Sequence, residues 1–305
     1  MTASAHIEAP RLGQIPVVSV ARLDRPETVQ KLGEALEATG FVALTEHGVN
    51  AELLQTAYAR AEATFALPEA DKRRYEVTAD GRQRGYTSMG VEHAKDASVS
   101  DLKELWQVGR DAPGVPENVF PAEISDFEPV FMGLFSALDR VCERVLGALE
   151  GYLRLDAGTF AELTRGGNSV LRLLHYPPLA EDAPEAAVRA AAHEDINLIT
   201  LLPVSTAPGL QILDRTGGWH DVETPPDVLI CDTGDMMALF TEGRMPATTH
   251  RVVNPRGALA RRSRYAMPFF CHPRADAVLV PAREASPALT AGQVLWTRLR
   301  EIGLA

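Results

Sequence analysis

The sequence predicts an α+β fold, with helices drawn mostly from the N-terminal half packed on a β core of sandwich or jelly-roll type. Three observations predict it. Apolar residues recur at helical spacing over 27–39, 51–67 and 124–153. After Gly166-Gly167 the pattern changes to short β-rich runs separated by Pro and Gly. No internal repeat or low-complexity linker divides the 305 residues, 46% of them apolar, so the chain can bury a substantial core. Residues 1–165 are expected to form a mostly helical region packing on a core made by 166–305, the two together making one compact unit.

The elements follow in order. Residues 15–20 read as an opening strand, and 27–39 as a helix stopped by Gly40. A second strand, 41–44, ends in the turn Glu46-His47-Gly48-Val49-Asn50. Asn50 is placed to cap the helix 51–67, which Pro68 stops, and 68–75 continue as a short charged helix. From Val77 to about Pro121 the pattern is irregular apart from a strand at 104–108, and such stretches commonly form the walls of binding sites. The longest helix is expected at 124–153, with a shorter one at 156–164. Strands are expected at 169–176, 196–202, 209–213, 228–231, 236–239, 248–253 and 265–271, before a closing helix at 291–302.

Composition narrows the function. No run approaches the roughly 18 apolar residues of a membrane span, and the N-terminus lacks a basic start followed by an apolar core, so no signal peptide is expected. Three scattered cysteines fit reduced thiols and a cytoplasmic location. A net charge of −11 without a basic block argues against nucleic acid as a partner. What remains is a soluble protein handling small molecules.

The chemistry concentrates in Ala192-His193-Glu194-Asp195-Ile196-Asn197. On an extended backbone His193 and Asp195 project from one face, next to an apolar run that provides a rigid mount. A second histidine, His250, lies in another strand-like run, Thr248-Thr249-His250-Arg251-Val252-Val253. Two imidazoles and a carboxylate suit non-haem Fe(II) with three open positions, or Zn(II) with a water. Arg264 shares a strand face with Ala266 and Pro268; turned inward it would be a buried cation in need of an anion. An arginine fork suits a carboxylate.

These residues resemble, in order and over nearly the whole chain, the isopenicillin N synthase-like family of Fe(II)/2-oxoglutarate-dependent oxygenases. The matching segments are Ile15-Pro16-Val17-Val18-Ser19-Val20, Gly40-Phe41 with His47-Gly48-Val49, Tyr176-Pro177-Pro178, His193-Glu194-Asp195, Gly209-Leu210-Gln211-Ile212-Leu213, Trp219, Gly234-Asp235 and His250-Arg251-Val252. The Arg-x-Ser clamp of the family is matched by Arg264-Tyr265-Ala266 ahead of Pro268-Phe269-Phe270, with Ala266 in the serine position; Arg261-Arg262-Ser263 is a competing register. Leu174 stands where plant members carry Asn.

The resemblance implies a double-stranded β-helix (jelly-roll) core and iron ligands His193, Asp195 and His250. It implies 2-oxoglutarate held by Arg264 with help from Tyr176, and O2 as the oxidant. The expected reaction is hydroxylation of a small-molecule C–H bond, with desaturation or cyclisation as variants. The missing serine keeps open an isopenicillin N synthase-like oxidase that uses O2 without 2-oxoglutarate, its arginine binding a substrate carboxylate. A zinc hydrolase and a non-catalytic binding protein are the alternatives from other classes. Asn197, on the face of His193 and Asp195, and Arg172 are candidate substrate contacts, as are Arg84 and His175. Substrate walls are expected from 77–107, 179–192 and the C-terminal segment.

Overall fold

The computed structural model describes residues 15–93, 100–179, 188–222, 225, 227–281 and 287–305. Among them, a nine-stranded sheet runs in the order Val17–Ser19, Phe41–Thr45, Leu229–Thr233, Ile199–Pro203, Phe269–Cys271, Val170–Tyr176, Glu104–Gly109, Gly85–Thr87, with Arg264–Ala266 also paired to Val170–Tyr176. Its first pair is parallel and the others antiparallel. A four-stranded antiparallel sheet follows the order Ala190–His193, His250–Val252, Leu210–Leu213, Trp219–Asp221.

The two sheets face each other. Leu105, Leu174, Tyr176 and Ala266 from the large sheet pack with Ala190 and Val252 from the small one. Further along, Phe41, Ala43 and Ile230 meet Ile212. This is the jelly-roll core that the β-rich half predicts. The outer face of the large sheet is covered by helix Phe127–Leu153, whose Phe131, Leu134, Phe135, Leu138, Val141 and Val145 form a buried stripe at helical spacing. Phe135 meets Phe269 of the sheet edge to face, ring centroids 5.1 Å apart. Helices Pro26–Thr39 and Ala51–Phe65 pack against the same long helix. Among the described residues, no helix is long and apolar enough to cross a membrane.

Local signals act as expected at several ends. Asn50 Oδ1 accepts the Glu52 and Leu53 amides at 2.7 and 3.2 Å, a cap worth about 1 kcal/mol. Gly40 ends its helix at φ +69°, where a β-carbon would stand 2.4 Å from Thr248 Oγ1.

Three expectations need correction. Residues 236–239 belong to a helix, Asp235–Phe240, not a strand; a short apolar run carries no decisive periodicity, and Met, Ala and Leu are good helix formers. The strand expected at 196–202 is Ile199–Pro203, because residues 194–198 turn from the small sheet to the large one. The run 265–271 is two strands, Arg264–Ala266 and Phe269–Cys271; Pro268 has no N–H to donate, and its carbonyl instead accepts the Arg172 amide at 2.9 Å. The short strands Gly85–Thr87, Ala190–His193, Trp219–Asp221, Val278–Val280 and Leu289–Thr290 carry too few residues to show an alternation.

Candidate active site

Strand pairing brings the donors together. His193 ends one strand of the small sheet, His250 begins the next, and the two are direct cross-strand partners. Their rings lie 4.4 Å apart. Asp195 sits beyond the end of the His193 strand, in the turn, rather than two positions along it as the extended reading expects. It converges all the same: Oδ1 is 3.9 Å from His193 Nε2 and 3.7 Å from His250 Nε2. The three ligand atoms all lie within 4.8 Å of one another.

Surrounding groups orient these donors. His193 Nδ1 faces the Ala191 carbonyl at 2.7 Å, and His250 Nδ1 faces the Thr248 carbonyl at 3.2 Å. An Nδ1–H donated to each carbonyl leaves both Nε2 lone pairs directed at Asp195. Asp195 Oδ2 accepts from the Thr200 hydroxyl, whose oxygen in turn accepts from Asn197 Nδ2 at 3.0 Å. Burial, reinforced by His250, lowers the His193 pKa to about 4, so the ring is neutral at pH 7. Burial opposes ionisation of Asp195, but His250, His193 and the Thr200 bond outweigh it and hold the carboxyl below its usual range. Neutral imidazole and ionised carboxylate are the forms that bind a cation.

The turn carrying Asp195 is held from below. The Asp235 amide donates to the Asp195 carbonyl at 2.7 Å, and the Gly234 amide to Leu198 O at 3.0 Å. At Gly234 a β-carbon would lie 2.4 Å from Asn197 O and 2.8 Å from Asp195 O, so glycine is required by close approach. Asp232 is buried beside Asp195; burial and the Asp195 charge push its pKa well above the usual carboxylate range.

Arg264 lines the same cavity as the donor cluster and is 1% exposed. It is the cross-strand partner of Tyr176, with its guanidinium 5.0 Å from that ring's centre. Nε donates to Ala207 O at 3.0 Å and Nη2 to Ser205 Oγ at 2.9 Å, while Nη1 is buried with no partner. A buried guanidinium nitrogen without an acceptor, on a residue that lines a cavity, is chemically suited to pair with an anion. Ala266 faces the cavity two positions on, and Ser205, from another part of the chain, supplies a hydroxyl at this arginine. In the competing register, Ser263 Oγ instead bonds His175 Nε2 at 2.9 Å.

The remaining candidates divide by strand face. Arg172, Leu174 and Tyr176 line the cavity. His175 faces the other way, its Nδ1 on Glu104 Oε1 at 2.7 Å and its ring stacked on Tyr265. Arg84 is fully buried behind the sheet, on Asn168 Oδ1 at 2.8 Å, and neither residue lines the cavity. Asn197 is fully buried in the chain of bonds that supports Asp195. The expected walls are represented by Gln83, Glu92, Lys103 and Gln107, by Ala190 and Ala192, and by Leu295, Arg298 and Leu299; residues 94–99 and 180–187 of those stretches lie outside the described residues. Sequence reading missed Thr200, which reaches back to Asp195 in the turn, Ser205, which meets Arg264 from outside any strand, and Asp232, from a distant strand; no local pattern marks them.

Comparison with known proteins agrees with this geometry. Residues 15–124 match the model described as non-haem dioxygenase in morphine synthesis N-terminal, and residues 167–273 match the 2OG-Fe(II) oxygenase superfamily. A 2-oxoglutarate-Fe(II) type oxidoreductase of Aspergillus fumigatus is 32% identical over 261 residues, 81% of this chain and 76% of its own. A solved 2OG-Fe(II) oxygenase family protein from Caulobacter crescentus is 37% identical, with a TM-score of 0.83 over 95% of this chain and 99% of that one. A full-length Neurospora crassa protein, solved with alpha-KG and also with alpha-KG and thymine, is 25% identical at a TM-score of 0.83, covering 94% of this chain and 95–96% of its own. These findings support the reading that uses 2-oxoglutarate over the oxidase that does without it. From its motifs, its fold and its relatives, the chain belongs to the isopenicillin N synthase-like family and is an Fe(II)/2-oxoglutarate-dependent dioxygenase.

Proposed function

We propose that His193, Asp195 and His250 hold the Fe(II), that Arg264 anchors the distal carboxylate of 2-oxoglutarate, and that the enzyme oxidises a C–H bond of a small molecule. The single observation that carries this reading is the pairing of a two-imidazole, one-carboxylate face with an unpartnered Arg264 Nη1 in one cavity. The donors fit the metal: two imidazole nitrogens and one carboxylate leave positions for a chelating keto acid and O2. When bound, Fe(II) with 2-oxoglutarate and O2 supplies an oxidant able to attack an unactivated C–H bond.

The protein's own part is positioning and protection. Arg264 and Tyr176 orient the co-substrate. Leu174, Ala190, Leu202, Val252 and Ala266 line the cavity and keep water from it. Thr200 fixes the Asp195 carboxylate so that one oxygen faces the histidines. A small-molecule substrate is supported by the cavity, about 300 Å3, and by the thymine held in the Neurospora relative.

Anaerobic titration with Fe(II) and then 2-oxoglutarate tests the assignment. A metal-to-ligand charge-transfer band is expected in the native protein and not in His250→Ala; a band of equal strength in that variant would refute the ligand set.

A further inference from the structure

The cavity wall beside the metal face is built from ionised side chains that cancel one another. Glu92 receives Lys103 Nζ at 2.6 Å and Arg172 Nη1 at 3.1 Å. Lys103 also reaches Asp101 Oδ2 at 2.8 Å, and Asp101 Oδ1 accepts the Ala191 amide at 3.0 Å, which ties the cluster to the His193 strand. Glu92, Asp101 and Lys103 are each less than 9% exposed. Burial opposes ionisation of Glu92, yet Arg172 and Lys103 bring its pKa down to about 2, so its carboxylate is ionised at pH 7.

Among the described residues, Arg172 is the member with a hand left over. Nε is committed to Gln107 Oε1 at 3.2 Å, Nη1 to Glu92, and the guanidinium lies 5.1 Å from the Phe270 ring centre. Nη2 donates to none of the described residues. Arg172 stands four positions before Tyr176 on the same face, roughly 13 Å along the strand from the Arg264 end. It is therefore apart from the co-substrate anchor while sharing its cavity.

Charge decides what this wall can accept. Two acids, Glu92 and Asp101, offset two bases, Lys103 and Arg172. Arg298, the next lining cation, is shared between Asp235 and Glu301. With a dication on one carboxylate and a doubly anionic co-substrate on Arg264, the loaded centre is neutral as well. An anionic substrate would enter a buried space in which each lining cation is already matched, which is costly. A carbonyl oxygen can accept from Arg172 Nη2 and bring no charge.

We propose that Arg172, braced by Glu92 and Lys103, is the substrate-recognition residue, and that the substrate is a compact, uncharged compound presenting a carbonyl oxygen. The inference rests on the metal and co-substrate placement above, since it counts their charges.

Benzamide and benzoate, matched in size and differing in charge, test it against the anaerobic Fe(II)·2-oxoglutarate protein. Binding is read by calorimetry and by the shift of the charge-transfer band, which also reports that each variant is folded and loaded. The native protein should bind benzamide at least about tenfold more tightly than benzoate. Arg172→Leu should weaken benzamide roughly ten- to a hundredfold with the band intact. Glu92→Gln leaves Arg172 and Lys103 facing Asp101 alone, and should turn the preference towards benzoate. Equal, reversed or undetectable binding in the native protein, or an unchanged order in Glu92→Gln, overturns the proposal. Absence of the band in the native protein refutes the underlying placement instead.

Discussion

Replacing Arg264 by Met separates the two roles of a buried cation. In the ligand-free protein the guanidinium is costly: it is 1% exposed, with no carboxylate paired to it among the described residues and Nη1 unpartnered. Met keeps the hydrophobic stem against Tyr176 and removes that charge, at the expense of the bonds to Ala207 O and Ser205 Oγ. The ligand-free stability should therefore change by less than about 1.5 kcal/mol, the lost neutral bonds and the relieved desolvation opposing each other. Co-substrate binding should suffer far more. One charge-assisted hydrogen bond is worth about 1.5–3 kcal/mol, a rise in Kd of roughly 10- to 100-fold. At a 2-oxoglutarate concentration about 100 times the native Kd, ligand binding adds about 2.7 kcal/mol to stability; in the variant it should add only about 0.4–1.4 kcal/mol. Urea denaturation of the Mn(II)-loaded proteins with and without 2-oxoglutarate reads both numbers. Retention of the full ligand increment in Arg264→Met would show that the arginine does not hold the co-substrate.

Other perturbations follow from the same geometry. Thr200→Val removes the donor to Asp195 Oδ2 and should weaken metal binding about tenfold in a competitive chelator titration; unchanged affinity would discount that support. Gly234→Ala drives a β-carbon into Asn197 O and Asp195 O, and should cost about 1–3 kcal/mol while lowering metal affinity through the displaced turn. The His272 pKa is also lowered to about 4, chiefly by burial, against an ordinary value of 6.5. The unfolded chain thus binds the proton first, so stability is lost as pH falls from about 6.5 towards 4, on the order of 3 kcal/mol for this group. His272→Gln should flatten the metal-free stability–pH curve in that window, and an identical slope would count against the assignment.

Much of the site was legible before the fold because its residue types are costly to bury without purpose. His193, Asp195, His250 and Arg264 each announce a partner, and their order matches a family pattern. Arg172, Leu174 and Tyr176 share the cavity face of their strand, whereas the sequence alone offered Arg172 and its opposite-facing neighbour His175 alike. The path of the chain between donors was not legible. Asp195 reaches the metal face from a turn because amides of Gly234 and Asp235, some forty residues later, hold that turn. Residues 236–239 could satisfy either a helix or a strand until the Gly234 carbonyl is seen to accept the Ala238 amide at 3.0 Å. The Glu92–Lys103–Arg172 cluster joins residues 80 and 11 positions apart, with no local pattern to reveal it.

The strand Val170–Tyr176 interleaves two messages, one read by the cavity and one by the helical layer. Leu171 and Leu173 answer to packing, as His175 does to its outward partners, while Arg172, Leu174 and Tyr176 face the cavity proposed to take the ligands. Because the period is two, substrate preference can drift through the even positions while the odd ones keep the molecule folded. Insertion or loss of a single residue would exchange the two messages at once. Point substitution is thus an open route to new substrates along this strand, and a change of length is closed to it.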